Sequence, residues 1–449
     1  MPTRTKITVH LSLLLTLITF AISSPYSSAQ SNSERLHAHT REFRKEVITV
    51  TDGVHVAIGF ALANSIMIEG DSGIIIVDTT ENPVAAKEIL AEFRKISKKP
   101  VVAIVYTHYH ADHVMGTEGF IEGSKNVKII AHELNPTLVA QSYGMLRPIT
   151  ASRGVRQFGV MLPTAIRPNA GIGPMLRIGS VTSDDYIPPT LTIDDKPLEL
   201  AIAGVRFKFV HAPGETDDQL YVWLPDKKVL LPGDNFYRSF PNLYAIRGTK
   251  YRDVRKWADS LDAMQKENAE FLVPSHTRPI TGSEAIRERL TNYRDAIRFV
   301  HDETVKGINE GLTPDQLVET VSLPEHLRED PWLAEYYGTV AWSVRNIYGG
   351  YLGWFDGNPA HLNPLSPSDQ ASRIATLAGG TKKLIRAGKS ALNSGDAQWA
   401  LQISDWVKKI EPSNEENLAI RKQALQILGD QQISANGRNY YHSSAMQGH

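Results

Sequence analysis

Residues 107–113 read Thr107-His108-Tyr109-His110-Ala111-Asp112-His113, directly after the apolar run Val101 to Tyr106. Imidazole and carboxylate are ligands that divalent zinc takes, and here four such groups fall within six positions just past a strand of buried character. Packing alone has no use for so many titratable side chains at one strand end. A metal site is therefore the economical reading, with a histidine-rich surface loop as the ordinary alternative. His108 and His110 stand two apart, so an extended segment turns both rings to one side. Asp112 and His113 fall in the following turn, where they can face a second ion.

The chain has 449 residues, which suggests about two to three domains. Its 48 basic and 49 acidic residues leave a formal charge of -1, so no global field points to nucleic acid or to a membrane surface. Cysteine is absent from the sequence, which excludes disulfides and thiolate ligands and leaves His, Asp and Glu to hold any metal. At the N-terminus, Arg4 and Lys6 precede the apolar stretch Leu11 to Ile22 and then small residues through Ser27-Ser28-Ala29-Gln30. That is the form of a secretory signal cut after Ser27 or Ala29. The apolar stretch falls short of the roughly 20 residues a membrane span needs, so a periplasmic or secreted protein without stable membrane insertion is expected, an uncleaved anchor being the alternative. Residues 1–30 are then left out of the fold.

Between residues 31 and 285 short apolar runs alternate with helical stretches. Val54 to Ala61 and Ser65 to Glu69 predict a hairpin, Gly73 to Asp78 a buried strand, and Ala85 to Lys95 an amphipathic helix. Val205 to Val210, Tyr221 to Leu224, Val229 to Leu231 and Phe271 to Val273 continue the strand series. An α/β architecture of two sheets packed face to face with helices outside fits this order. Residues 286–449 carry helical spacing in Ile286 to Glu310, Pro314 to Val321, Pro331 to Tyr348 and Ser368 to Leu428, and predict a second, all-helical domain. The tail Ser434 to His449 shows no periodicity and ends in exposed-looking polar residues.

Three later turns, each after an apolar strand, offer further ligands: Pro213-Gly214-Glu215-Thr216, Pro232-Gly233-Asp234-Asn235 and Pro274-Ser275-His276. Strands that end at one edge of a sandwich bring such groups together. Singly, each has an ordinary reading: a loop histidine for His276, a turn or cap acid for Glu215 and Asp234. The set carries the argument. Asp78, at a strand end, is expected to orient the histidine loop as an acceptor, or else to be a simple turn acid.

This arrangement resembles the metallo-β-lactamase superfamily, whose signature is His-x-His-x-Asp-His followed by three later ligands on separate loops; the resemblance covers roughly residues 45–282. Glu215, standing where most members have histidine, is similar to the type III alkylsulfatase branch. So are the segments Phe240-Pro241-Asn242-Leu243-Tyr244-Ala245-Ile246-Arg247-Gly248 and Tyr351-Leu352-Gly353-Trp354-Phe355-Asp356-Gly357-Asn358-Pro359-Ala360. The resemblance implies an αβ/βα sandwich followed by a helical dimerisation domain. A sterol-carrier-like domain that usually follows in these enzymes is not expected before His449.

By position, the resemblance implies two zinc ions per subunit. His108, His110 and Glu215 would hold the first, Asp112, His113 and His276 the second, and Asp234 would bridge them where the family has a glutamate. Asp112, Asn242 and Arg247 are the catalytic candidates, and Asn242, Arg247 and Arg252 the candidate binders of the sulfate group. The residue types suit that task, since an arginine is a planar fork for oxyanions and Asn242 adds an amide donor. A surface salt bridge for Arg247 and a turn role for Asn242 after Pro241 are the ordinary alternatives. The implied reaction is cleavage of an alkyl sulfate ester to alcohol and inorganic sulfate by metal-activated water, with attack at carbon. A lactonase or phosphodiesterase of the same fold would share the ligands without needing Arg247 and Asn242. A non-catalytic helical interaction protein would not need the metal set at all.

The long stretch between His113 and Glu215 holds Met145, Leu146, Phe158, Val160, Met161, Leu162, Met175 and Leu176, enough for an apolar slot or for ordinary core packing. The resemblance also places a tyrosine near Phe158-Gly159 that this chain lacks, so the proton donor to the leaving group is unassigned. Finally, it implies a homodimer through the helical region, where Trp332, Tyr336, Tyr337, Tyr351, Trp354 and Phe355 supply aromatic surface.

Overall fold

The computed structural model describes residues 30–124, 126–177 and 185–448; the expected export signal lies outside them. Seven strands form the first sheet in sequential order: β1 Glu46–Thr51, β2 Val54–Ile58, β3 Ser65–Glu69, β4 Ile74–Val77, β5 Val101–Val105, β6 Lys128–His132 and β7 Leu191–Ile193. β1 to β4 are antiparallel, and β4 to β7 run parallel. The second sheet holds β8 Leu198–Ile202, β9 Val205–His211, β10 Leu220–Leu224, β11 Val229–Leu231, β12 Phe271–Leu272 and β13 Ile280–Thr281.

Side-chain alternation decides what each face does. Ile75 and Val77 of β4 point inward to the core shared with Phe207, Phe209, Val222 and Leu231 of the second sheet, while Ile74 and Ile76 point outward. The outward pair is covered by the helix Pro83–Ile96 through Ile89, Leu90 and Phe93, so β4 is buried on both faces and reads as one continuous apolar run. That helix starts where the side chain of Asn82 accepts the N–H of Ala85, with proline in its first turn. The expected sandwich is therefore present, with its hairpin and strands in place.

The helices Val254–Gln265 and Ser283–Asn309 cover the outer face of the second sheet, joining Trp257, Leu261, Leu290, Tyr293 and Ile297 to Trp223 and Leu230 in one core. This core runs straight through the boundary expected at 285/286. A separate helical core appears only later, where four helices between Pro367 and Gln431 gather Leu384, Ala400, Ile403, Val407 and Ala424.

Two expectations for the helical half require correction. Helix over Pro331 to Tyr348 begins only at Val340, capped by Thr339, whose hydroxyl accepts the N–H of Trp342. Residues 331–339 instead lie along the catalytic body: Phe240 N–H donates to Ala334 O, and Tyr337 N–H to Ser239 Oγ. Gly338 is required there, since a Cβ would stand 2.1 Å from Pro241 O. The tail does end exposed at Met446 to Gly448, but despite its lack of periodicity Ala435–Gln447 is a helix whose Asn436, Asn439, His442 and Ser443 are buried. A helix covered by polar side chains shows no apolar period, which is why spacing missed it. Its N-terminus grips the 331–339 segment: Ala435 N–H donates to Tyr336 O, and both Ser434 Oγ and Asn436 Nδ2 donate to Tyr337 O.

Deleting residues 433–449 should therefore cost at least about 3 kcal/mol of stability, since three buried backbone or side-chain bonds are lost. Denaturant unfolding of the shortened protein measures it. A midpoint equal to that of the full chain would show the tail helix to be dispensable.

Candidate metal centre and active site

The carboxylate of Asp78, at the end of β4, accepts four hydrogen bonds: from Thr107 N–H at 2.9 Å, Thr107 Oγ1 at 2.9 Å, Ser275 Oγ at 2.6 Å and His113 Nδ1 at 2.8 Å. One buried acid thus ties the end of β4 to the loop after β5 and to the loop after β12. It does so at a backbone φ of 60°, left-handed and uncommon for a residue with a side chain. The two sheets are laced at the same edge, where Leu220 N–H donates to Thr107 O at 2.8 Å.

These bonds settle which ring nitrogens face inward. A carboxylate only accepts, so His113 carries its proton on Nδ1 and presents Nε2; His276 does likewise, bonding Leu62 O through Nδ1 at 3.0 Å. Thr107 Oγ1 spends its proton on Asp78 and accepts from His108 Nδ1 at 3.0 Å, which leaves His108 Nε2 as an unprotonated acceptor facing the centre, 2.8 Å from His110 Nδ1. Asp234 stands between the groups, its Oδ2 lying 3.0 Å from His276 Nε2, 3.5 Å from His113 Nε2 and 3.9 Å from His108 Nε2. Asp112 Oδ2 lies 3.5 Å from both His113 Nε2 and His276 Nε2.

Three overlapping triads result, Asp112/His113/His276, His108/His113/Asp234 and His110/Glu215/Asp234, each with ligand atoms within 4.8 Å of one another. The inward atoms His113 Nε2, His276 Nε2, Glu215 Oε2 and Asp234 Oδ1 are buried with no hydrogen-bond partner. Unpartnered buried acceptors are costly, and lone pairs converging in this number fit divalent cations. Burial pushes the His108 and His110 rings well below the usual histidine range, the neutral state a metal ligand needs. Burial opposes ionisation of Asp234, but His276 and His113 beside it hold it well below the carboxylate range. A fourth cluster, His132/Asp195/His211, is different: its imidazoles stack at 4.0 Å, and His132 Nδ1 accepts Leu134 N–H, so Nε2 carries the proton and is no ligand.

Glu215 reaches the site on the turn after β9. Burial raises its carboxyl to about 7 although Arg252 Nη1 lies 2.9 Å away. Asn235 joins the two acid-bearing turns, since its Oδ1 accepts Glu215 N–H while its own carbonyl accepts Trp257 Nε1. Neither Arg252 nor Asn242 lines the cavity above the acids: Arg252 backs Glu215 and donates to Asn242 O, and both residues are buried. Arg247 does line it, with Nη2 3.1 Å from His110 Nε2 and Nη1 buried without a partner.

This cavity, of about 270 Å³, has His110, Asp112, Glu215 and Asp234 on its floor and Leu62, Val155, Phe158, Ile172 and Leu176 among its walls. From the long stretch, Phe158 and Leu176 thus reach the cavity, Leu162 is buried in core, and Met145, Leu146 and Met161 face solvent. Sequence reasoning missed Glu81, Tyr143 and Tyr337, which also line it. Glu81 is fully buried, which raises it to about 7, and it accepts the N–H groups of Leu62 and Arg177. Tyr143 accepts Ala111 N–H at 2.9 Å, inside the metal-binding heptad. Burial raises both phenols, so they are protonated at neutral pH.

A family model for the metallo-beta-lactamase superfamily matches residues 58–276, and one for alkyl sulfatase dimerisation matches residues 313–449. The linear primary-alkylsulfatase of a Pseudomonas species is 41% identical over 389 residues, covering 85% of this chain and 73% of that protein. This chain belongs to the alkylsulfatases of the metallo-β-lactamase superfamily. The alkyl/aryl-sulfatase BDS1 of Saccharomyces cerevisiae is 32% identical, and the match covers 89% of this chain but 63% of that protein. Among solved structures, the stereoselective inverting sec-alkylsulfatase Pisa1 from Pseudomonas superposes with a TM-score of 0.87 at 28% identity, covering 93% of this chain and 67% of that one. Alkylsulfatase membership makes Tyr337 the notable lining residue, since it belongs to the half matched by the dimerisation model yet faces the cavity of the other half.

Replacing Asp78 with alanine should lower metal affinity about 10- to 100-fold, because His113 loses its orienting partner. It should also cost about 3 kcal/mol of stability. Metal titration and denaturant unfolding check both, and wild-type metal affinity in the variant would show that the carboxylate does not govern the loop.

Proposed function

We propose that this protein is a dizinc alkylsulfatase, hydrolysing alkyl sulfate esters to the alcohol and inorganic sulfate. One observation carries the reading: an arginine with an unpartnered buried Nη1 hangs over a floor of convergent carboxylates and imidazoles, at the base of a largely apolar cavity. His108, His110 and Glu215 would hold one ion and Asp112, His113 and His276 the other, with Asp234 between them. Two zinc ions there would supply Lewis acidity and an activated water.

The chain's own groups do the rest. His110 Nδ1 lies 3.8 Å from Glu215 Oε1, so it is the nitrogen that would face the first ion. With that nitrogen as the ligand atom, the ring proton would sit on Nε2, which would then not accept from Arg247. The guanidinium would then be free to face the cavity it lines, where its fork matches two sulfate oxygens. Arg252 acts as a positioning residue: its ion pair favours the ionised form of Glu215 against burial, and its bond to the Asn242 carbonyl fixes the loop that carries Arg247. Asn242 itself, both of whose side-chain polar atoms are buried and unpartnered, shares that loop. The apolar walls exclude water from the alkyl chain and strengthen each charge contact at the floor. A relative described as inverting supports attack at carbon, for which sulfate is a leaving group that needs no strong acid. Tyr143 and Tyr337 then serve as hydrogen-bond donors, not as required acids.

For assembly we propose a homodimer through the helical region. Of the expected aromatics, Tyr337 is buried at the cavity, Tyr336 stacks on His39 and Trp332 packs on Phe236. Tyr351 and Trp354 remain exposed, with Leu352, Leu362 and Leu365 exposed beside them in sequence.

Sulfate release from an alkyl sulfate, set against a lactone and a phosphodiester, tests the activity, and elemental analysis should give two zinc ions per chain. Arg247→Ala should keep the zinc and lose about 100-fold or more in kcat/KM for the sulfate ester. Unchanged kinetics with full metal would remove Arg247 from the site. In oxygen-18 water, label should enter the alcohol; label only in sulfate would refute attack at carbon. Light scattering should show a dimer that Trp354→Glu converts to monomer, and a monomeric wild type would refute the interface.

A further inference from the structure

From Leu134 to Ser183 the sequence contains no aspartate or glutamate, but it contains Arg147, Arg153, Arg156, Arg167 and Arg177. In a chain whose 48 basic and 49 acidic residues otherwise balance, such a one-signed stretch is a local device. It includes the helix Arg147–Gln157, which roofs the cavity: Arg147, Thr150, Ala151, Gly154 and Val155 line the space within. Every residue from Gly144 to Ile149 is exposed, and among them Met145 is 74%, Leu146 46% and Ile149 53% accessible. Ile149 lies in the first turn of this helix, and Met145 and Leu146, four and three positions before it, lie in the turn that leads into the helix, on the side Ile149 faces. None of the three lines the cavity. Arg147 is exposed and Arg153 and Arg156 half-exposed, with Arg156 Nε donating to Gln447 Oε1 at 3.0 Å, whereas Arg167 is buried and Arg177 is paired with Glu88.

Exposed apolar side chains flanked by arginines, with no acid in the segment, form the chemistry of an interfacial anchor for anionic amphiphiles. We propose that Met145, Leu146 and Ile149, with Arg153 and Arg156, dock the enzyme on the surface of an aggregated anionic amphiphile, with the cavity roofed by the same helix turned toward that surface. The apolar side chains enter the hydrocarbon boundary while the guanidinium groups meet the headgroups. This deepens the alkylsulfatase reading, whose substrates are amphiphiles of that charge, and places capture of the substrate at an interface as well as from free solution.

Flotation with vesicles containing no sulfate ester separates this surface from the catalytic reading. The holoenzyme should float with vesicles of phosphatidylglycerol and phosphatidylcholine, release them at high salt, and not bind phosphatidylcholine alone. The triple variant Met145→Ser, Leu146→Ser, Ile149→Ser should bind the anionic vesicles about tenfold more weakly. Its unfolding midpoint, and its turnover of a short alkyl sulfate below its aggregation concentration, should match wild type. Absence of wild-type flotation, equal flotation of wild type and variant, or equal binding to both vesicle types would each overturn the proposal while leaving the hydrolytic reading intact.

Discussion

The site depends on one buried carboxylate. Asp78 closes β4 and accepts from the loop after β5 and the loop after β12, so segments nearly 200 residues apart in sequence meet on its two oxygens. Burying an acid is unfavourable unless its lone pairs are filled, and here they are filled by the backbone and side chains that must be placed. The left-handed backbone at Asp78 is the local cost of aiming the carboxylate at this junction. Everything inward follows from the tautomers it sets: Thr107 is turned to accept from His108, and His113 is turned to offer Nε2.

A second constraint is charge. Asp112, Glu215 and Asp234 lie in a pocket from which water is largely excluded, with the four histidines around them. Such a cluster calls for compensating positive charge: burial opposes charging of the His113 and His276 rings, but Asp234 beside both raises them above the usual histidine range. Divalent ions facing the Nε2 atoms would supply that charge. The aspartate at position 234, one methylene shorter than the glutamate expected there, still brings Oδ2 within 3.9 Å of three imidazoles, because the turn at Gly233 carries its backbone inward. Gly233 sits at φ 59°, and a Cβ there would stand 2.1 Å from Gln219 Nε2.

The features legible in the sequence were those with a local rule. Continuous apolar runs gave β4 and β5, proline-containing turns marked where Glu215, Asp234 and His276 leave their strands, and the heptad announced the ligands. What stayed hidden is long-range and polar. Glu81 follows a strand like many acids, and its burial comes from accepting N–H groups of Leu62 and Arg177 on distant segments. Tyr337 sits in an aromatic run suited to a subunit surface, and the hydrogen bonds from Ser434 and Asn436, with that of its own N–H to Ser239, hold it at the cavity. Arg252 read as a sulfate binder because charge type is visible in a sequence, but its partner Glu215 is not.

The two halves of the chain are therefore one active-site unit. The tail helix holds the carbonyls of Tyr336 and Tyr337, and it also packs under the cavity roof, where a Cβ on Gly159 would meet Asn439 at 2.9 Å. Arg438 Nε donates to Ile166 O in the loop just beyond that roof, so the C-terminal helix braces the one wall built from the acid-free segment. A metal floor fixed by strand ends is rigid by construction, since its ligands ride on two hydrogen-bonded sheets. The roof has no sheet behind it, and its position rests on a helix whose buried face is asparagine, histidine and serine. Hydrogen bonds are directional where apolar contacts are not, so the bond from Arg438 to Ile166 O, with Asn439 packed against Gly159, holds the roof at one height above the floor. That height sets the room left for an alkyl chain over the metal ligands.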